Sequence, residues 1–332
     1  MSRGFDVYGV GHALVDVQYS VATQRLEQLG IRKGVMTLIG EPEQETLLQA
    51  LAGEFRVAQA SGGSAANTMI GVAGFGGTAY YTCLLGGDEW GDFYHRDLEE
   101  AGVRSNPERR SAGHTGKCVV LITPDADRTL NTFLGVSSQL APEHLEPTLI
   151  QASTYLYIEG YLVSSDNGLA TCRGAQQLAQ RAGTRVSLTL SDPAMIEYFR
   201  PRFEELVAGG VDLLFCNEEE AAAFTGTKDR QAAARQLASR VGAGCITCGG
   251  EGALVFAPGR LTQVAGFAVR AVDTTGAGDL FAGGVLFGLA RGHSLEAAAR
   301  LGNYAAAQVV ARYGPRLGRS LRGEAEQILK NP

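Results

Sequence analysis

Hydrophobic positions along the chain fall into short apolar runs separated by stretches with helical spacing. FDVYGVGHALVDV opens as a strand bounded by Gly9 and Gly11. TQRLEQLGI reads as an amphipathic helical turn closed by Gly30, and ETLLQALAGEF as a second helix. SGGSAANTMIGVAGFGG predicts a glycine-rich turn feeding a helix of small residues, AYYTCLLG a strand, and DEWGDFYHRDLEEAGV a helix. KCVVLIT and TLNTFLG are two β-like runs joined by Pro124, Asp125, Ala126 and Asp127, a hairpin signal. The rhythm then resumes. TYLYIEG, RVSLTLS, VDLLFCN, GCITCGG and GALVFA read as strands; GLATCRGAQQLAQRAG, EEEAAAFTG and QAAARQLASRVG read as helices. VRAVD reads as a last strand running into DTTGAGDLFAGG and two small-residue helices.

Strands alternating with helices of this length predict an α/β fold whose parallel sheet is covered on both faces. The segments at about 14–40 and 112–137 break the rhythm, being rich in strand and poor in helix. A small discontinuous β-sheet, grown from loops as a lid over the main sheet, would account for both. No internal repeat or linker divides residues 1–332, so a single domain is expected.

Composition narrows the function classes. A net charge of −6 over 332 residues gives no basic footprint for nucleic acid. The pair Arg109–Arg110 and the arginines between 312 and 322 read as solvated surface. No apolar run reaches the roughly 20 residues of a membrane span, and the N-terminus lacks the pattern of a signal peptide. The expectation is a cytoplasmic protein. Cys245 and Cys248 form a CxxC without a second pair or closely spaced histidines, inside an apolar strand, which reads as two buried thiols rather than a zinc or redox centre. Forty-four glycines exceed the usual ~7 % and cluster at turns.

The candidate chemistry lies at those turns. In DTTGAGD, Gly276, Ala277 and Gly278 stand where a helix begins, so backbone N–H groups and the positive end of the helix dipole offer an anion hole. Asp279 follows at once. Its ordinary role there is a cap; beside a phosphate it also suits a base that takes a proton from an attacking hydroxyl. No GxxxxGK[ST] is present, and Gly9-Val10-Gly11-His12-Ala13-Leu14 lacks the third glycine of a dinucleotide fingerprint, which disfavours an NAD-dependent oxidoreductase. Asp16 after the first strand, Gly62 to Asn67 at a helix start, Asn217 with Glu220, and Thr247 with Gly249 and Gly252 all fall at strand ends, where open α/β sheets bind ligands.

SGGSAANTMIGVAGFGG and DTTGAGDLFAGG resemble the two signatures of the ribokinase family, also called PfkB carbohydrate kinases, and the likeness covers nearly the whole chain. The resemblance implies a Rossmann-like three-layer α/β/α sandwich with a small β lid, and ATP-dependent phosphorylation of a hydroxymethyl group with Mg²⁺. It implies Asp279 as base and Gly276, Ala277 and Gly278 as anion hole. Asn217 and Glu220 match an NxxE that helps place Mg²⁺ through water. Thr247, Gly249 and Gly252 would lie along ATP, with Asn303 near the adenine. Asp273 and Thr275 match positions that hold a monovalent cation such as K⁺ in some members. Within the family, GHALVD and GGSAAN look most like the adenosine kinase branch. Asp16, Gly62, Gly63, Ser64 and Asn67 would then hold ribose hydroxyls, Arg128 would swing from the lid to the phosphates, and Tyr161 would face the base or belong to the core. His12 stands where that branch keeps Asn.

The expected reaction is transfer of the ATP γ-phosphate to the 5′-hydroxymethyl of a nucleoside, adenosine first. The alternative is a sugar kinase for ribose, fructose or a relative, and a third reading is an idle nucleotide-binding protein. A nucleoside needs an apolar slot over Asp16, for which Leu14, Met36, Leu134 and Tyr161 are candidates. The partners expected are the acceptor and ATP, on a monomer or homodimer, with monomer preferred because that branch is typically monomeric.

Overall fold

The computed structural model describes residues 4–108, 110–125 and 127–330. Arg109 of the basic pair and Ala126 of the hairpin turn lie outside the described residues, as do the first three residues of the N-terminal stretch. The strands in chain order are β1 (Phe5–Val10), β2 (Leu14–Ser20), β3 (Met36–Leu38), β4 (Phe55–Gly62), β5 (Ala79–Thr82), β6 (Leu85–Gly86), β7 (Val103–Arg104), β8 (Arg110–Ser111), β9 (Thr115–Ile122), β10 (Arg128–Gly135), β11 (Ser153–Ile158), β12 (Arg185–Thr189), β13 (Leu213–Asn217), β14 (Ala243–Thr247), β15 (Gly252–Ala257) and β16 (Arg260–Ala265). The helices are α1 (Thr23–Gln28), α2 (Glu41–Ala50), α3 (Ser64–Gly74), α4 (Glu89–Glu100), α5 (Pro147–Gln151), α6 (Asp166–Ala182), α7 (Pro193–Ala208), α8 (Glu218–Thr225), α9 (Arg230–Ala238), α10 (Ala277–Ala290), α11 (Leu295–Val310) and α12 (Arg322–Lys330).

A nine-stranded sheet in the order β16-β15-β14-β13-β12-β11-β1-β5-β7 forms the centre. From β14 to β7 neighbours run parallel, as the alternation predicts. Beyond β14 the sheet turns antiparallel through β15 and β16, so it is mixed. The cause is local: only Cys248 to Glu251 separate β14 from β15, too few residues for a crossover. Helices cover both faces. In β1, Val7 packs into the core shared with α3 and α10, whereas Tyr8 and Val10 pack into the core shared with α6 and α7. This is the period-two alternation of a strand buried on both sides.

One expectation is corrected and two elements are added. VRAVD is not a strand: residues 266–276 cross from β16 to α10 without regular structure. With Val269 exposed and Arg270 and Ala271 beside it in solvent, the run has no strand partner to pair with. Helix α7 was not anticipated, and it carries two prolines. Pro193 sits in the first turn, where its missing N–H costs nothing, and Pro201 is accommodated by a kink at Phe199. The second added element is β4, whose first residues are exposed.

That strand completes a second sheet, five-stranded, in the order β3-β10-β9-β2-β4. It draws on both segments expected to break the rhythm and adds residues 55–62. The KCVVLIT and TLNTFLG runs pair antiparallel as β9 and β10. Val15 and Val17 of β2 point into the main core. Asp16 and Gln18 point the other way and pair in register with Cys118 and Val120 of β9. Among the described residues no helix is long and apolar enough to cross a membrane. All six cysteines, those of the CxxC included, are buried thiols.

Candidate active site

The glycines of DTTGAGDLFAGG serve different needs. Gly276 caps α10 with φ of +76°, and a Cβ there would stand 2.7 Å from Pro315, so both backbone and neighbour require glycine. A Cβ on Gly278 would meet nothing within 4 Å; its side faces the open cleft. Gly283 and Gly284 lie against the backbones of α3 and α11, where a Cβ on Gly284 would come within 2.8 Å of Gly302. Small residues thus let α10 nest between two helices, with its start at the mouth of the cleft. Of the amides at 276–278, that of Ala277 donates to the Thr274 carbonyl at 3.2 Å.

Asp279, in the first turn of α10, is not merely a cap. Ser64 Oγ donates to its Oδ1 at 2.6 Å and Asn67 Nδ2 to its Oδ2 at 3.1 Å. Burial pushes its carboxyl up to about 6, against the pull of these two hydrogen bonds, and the nearby Glu159 charge pushes the same way. Ser64 and Asn67, expected on the acceptor, therefore hold the Asp279 carboxylate. Asn67 Oδ1 is buried and has no partner.

Asp16 lies beside them. A Cβ on Gly62 would collide with its carboxylate, and one on Gly63, at φ of +97°, would collide with the His12 carbonyl. The double glycine lets the chain entering α3 press against β2. Burial pushes the Asp16 carboxyl up to about 7, while Arg316 and Arg128 pull it back and Asp279 pushes it further. His12 is buried, its Nδ1 3.5 Å from Glu159 Oε1. Leu14 and Leu134 flank Gly116 of β9. Met36 pairs with Leu130, farther along β10, and Tyr161 packs on the main core with its hydroxyl donating to the Ser191 carbonyl at 3.3 Å. The four candidates for an apolar slot are thus not brought together as a set.

A cleft of about 770 Å³ runs from Asp279 along the strand ends. Ser64, Asn217, Glu220, Thr247, Gly249, Gly252, Ala277, Gly278 and Asn303 line it, so the predicted ATP-site residues converge. Phe267, Ala268, Val269, Ala306, Ala307 and Val310 give its far end an apolar lining. Asn303 anchors β16 there, Nδ2 donating to the Val264 and Ala265 carbonyls at 3.0 and 3.1 Å. Asn217 and Glu220 form a reciprocal capping box at the start of α8: Asn217 Oδ1 accepts from the Glu220 amide at 2.8 Å, and Glu220 Oε2 accepts from the Asn217 amide at 3.0 Å.

Together, a glycine-rich helix start, a buried carboxylate beside it and a nucleotide-sized cleft running from it fit a phosphoryl-transfer site. Residues 31–320 match the pfkB family of carbohydrate kinases. The chain belongs to that family. It is 27 % identical to an adenosine kinase of Schizophyllum commune over 94 % of this chain and 96 % of that protein. The solved structure of an adenosine kinase from Sinorhizobium meliloti superposes with a TM-score of 0.90 at 36 % identity, covering 97 % of this chain and 99 % of the other. A probable sugar kinase from Rhizobium etli superposes with a TM-score of 0.91 at 34 % identity, covering 98 % and 99 %. The protein is thus an ATP-dependent kinase of the adenosine kinase-like branch, acting on a nucleoside or sugar hydroxyl.

ATP is the co-substrate of this kinase, and its family typically uses Mg²⁺. The residues present fit a metal held through phosphate oxygens and water. Burial, opposed by the Asn217 amide and aided by the Asp192, Asp279 and Glu219 charges, raises the Glu220 carboxyl to about 7, and a divalent cation would relieve that crowding of carboxylates. Among the described residues no cluster of three His, Cys, Asp or Glu side chains stands ready to ligate a metal directly. Asp273 and Thr275 do not fit a monovalent cation as they stand. Arg128 pairs with Asp273, donates to Thr275 Oγ1 at 2.7 Å, and so supplies the positive charge opposite that carboxylate.

Two residues escaped the sequence reading. Glu159 follows β11 directly and is buried; its carboxylate accepts from the Ala65 amide at 2.9 Å and the His12 amide at 3.4 Å. An acidic residue closing an apolar strand is the signal that singled out Asp16, and TYLYIEG carries it. A Cβ on Gly11 would lie 2.5 Å from Glu159, which gives the glycines after β1 a packing role rather than a dinucleotide one. Arg316 is the second, and no local signal distinguishes it from the exposed Arg312, Arg319 and Arg322.

Proposed function

We propose that this kinase transfers the γ-phosphate of ATP to the 5′-hydroxyl of adenosine. The observation that carries the reading is Asn67, which grips Asp279 through its amide while its buried Oδ1 has no partner. A hydroxyl of an acceptor seated between Asp16 and Asp279 would satisfy that oxygen, and Asp16 would accept from the vicinal ribose hydroxyls.

The acceptor's primary hydroxyl then faces Asp279. As its oxygen attacks the γ-phosphorus in line, its proton passes to the Asp279 carboxylate, the new P–O bond forms, and the bond to the β-phosphate oxygen breaks to release ADP. The amides around Gly276 to Gly278 receive the charge on the transferring group. Bound Mg²⁺ would neutralise the triphosphate, with Glu220 and Asn217 holding it through water. Arg128 leaves Asp273 for the phosphates as the small sheet closes as a lid. Thr247, Gly249, Gly252 and Asn303 flank the nucleotide.

The likeness to the Sinorhizobium meliloti adenosine kinase over nearly the full length supports adenosine as acceptor. So does the face of the small sheet beside Asp16, where Cys118, Val120 and Ile122 of β9 and Leu130 of β10 form an apolar cluster suited to a base. The likeness to the probable sugar kinase, with the buried His12–Glu159 pair whose carboxylate acts on Asp279, favours fructose or ribose as a second reading. Thermal unfolding in the presence of each acceptor separates them. A Tm that rises with adenosine and stays put with fructose supports the first; the reverse overturns it.

A further inference from the structure

Residues 314–316, after α11, touch both halves of the site in three consecutive steps. The Gly314 amide donates to Asp273 Oδ2 at 2.6 Å. Pro315 packs on Gly276, the first residue of the anion hole. Arg316 crosses to the other side, where Nη1 donates to Asp97 Oδ2 at 2.6 Å and Nη2 to Ser61 Oγ at 2.5 Å. The same Asp97 oxygen also accepts from the Ser61 amide at 2.8 Å and the Ser61 hydroxyl at 2.6 Å. Ser61 precedes Gly62, which lies against the Asp16 carboxylate, and the Gly62 carbonyl accepts from Tyr94 of α4 at 2.9 Å.

We propose that Arg316 is a positioning residue of the acceptor site: its guanidinium fixes the end of β4 on α4 and keeps a positive charge behind Asp16, so that the carboxylate is set to receive acceptor hydroxyls. This rests on the reading of Asp16 as acceptor ligand. Arg316 is far from a surface arginine, its side chain 16 % exposed and its Nε–H buried without an acceptor. Its charge is the largest influence drawing the Asp16 carboxyl down, ahead of Arg128 on β10; Asp279 on α10 acts in the opposite sense. Cys118 on β9 and Tyr94 on α4 are the other titratable groups facing Asp16, and burial keeps both neutral.

The test is steady-state kinetics of Arg316→Gln, Arg316→Lys and Asp16→Asn from about pH 5 to about pH 9, varying acceptor and ATP separately. The acceptor is adenosine, or fructose if only the sugar is turned over. In Arg316→Gln, kcat/KM for the acceptor falls about tenfold at neutral pH and its acidic limb moves up by about one pH unit, while KM for ATP stays within about twofold. Arg316→Lys returns the limb to its wild-type position but keeps a raised acceptor KM, because it retains the charge and loses the two-pronged grip. If Arg316→Gln does not fold, Arg316→Lys decides alone, and a wild-type acceptor KM overturns the proposal. An unmoved limb in Arg316→Gln, or losses shared equally between acceptor and ATP, overturns it too. An unchanged acceptor KM in Asp16→Asn would instead remove the acceptor-site reading beneath it.

Discussion

At the scale of single residues, three carboxyls share one physical condition. Burial pushes Asp279 up to about 6 and both Asp16 and Glu220 up to about 7. A base must be ionised, so turnover is expected to fall as pH drops through about 6, and Asp279→Asn to lose about 10²- to 10⁴-fold in kcat in an ADP-release assay. Near-normal turnover of that variant would refute the assignment. The same shifts oppose folding at neutral pH. A carboxyl whose folded pKa lies above its unfolded value favours the fold below the unfolded value, and that contribution is lost as pH rises through the folded one. Asp16→Asn is therefore expected to raise Tm of the unliganded protein at pH 8 by a few degrees and to change it little near pH 4. Asp279, Asn67 and Glu220 were legible in the sequence because each sits at a helix start with its own local pattern, whereas Asp16, expected just after a strand of the main sheet, lies inside β2 of the small sheet. Arg316 was not legible, because what gives it meaning is Asp97, 219 positions away.

Among elements, α10 is the one on which the site depends, and its glycines divide by what surrounds them. Gly284→Ala thrusts a methyl into α11 and is expected to cost about 1–3 kcal/mol in denaturant unfolding. Gly278→Ala has open space and a better helix former, so stability is expected to hold or improve while KM for ATP rises. Equal destabilisation by both would contradict the division. The hydrophobic pattern foretold α10 and α3 well, since helices of small residues announce close packing. It misjudged VRAVD, whose alternating residues find no neighbouring strand, and the antiparallel β14–β16 edge. Periodicity reports which residues are apolar, whereas strand pairing depends on connection length. Helix α7, which the sequence reading left without an element, carries two prolines that the structure absorbs at a helix start and a kink.

For the whole molecule, the small sheet meets the segment before α10 where Arg128 of β10 reaches Asp273 and Thr275, and meets α4 and the segment after α11 where Ser61 of β4 reaches Asp97 and Arg316. The first contact is the one that opens to phosphate in the proposed reaction. Hydrogen exchange in β9 and β10 is expected to slow when Mg²⁺, a non-hydrolysable ATP analogue and adenosine are present together, and unchanged exchange would argue against closure. The two segments expected to form a lid were visible in the sequence because they interrupt the strand–helix rhythm; β4 was not, because its exposed residues mask its alternation. The most direct measurement is the acceptor profile: ADP release with Mg²⁺-ATP across nucleosides and sugars, with the phosphorylated product identified by NMR. Adenosine should give the highest kcat/KM and carry phosphate on its 5′-oxygen. Turnover of a hexose with none for any nucleoside would contradict the account.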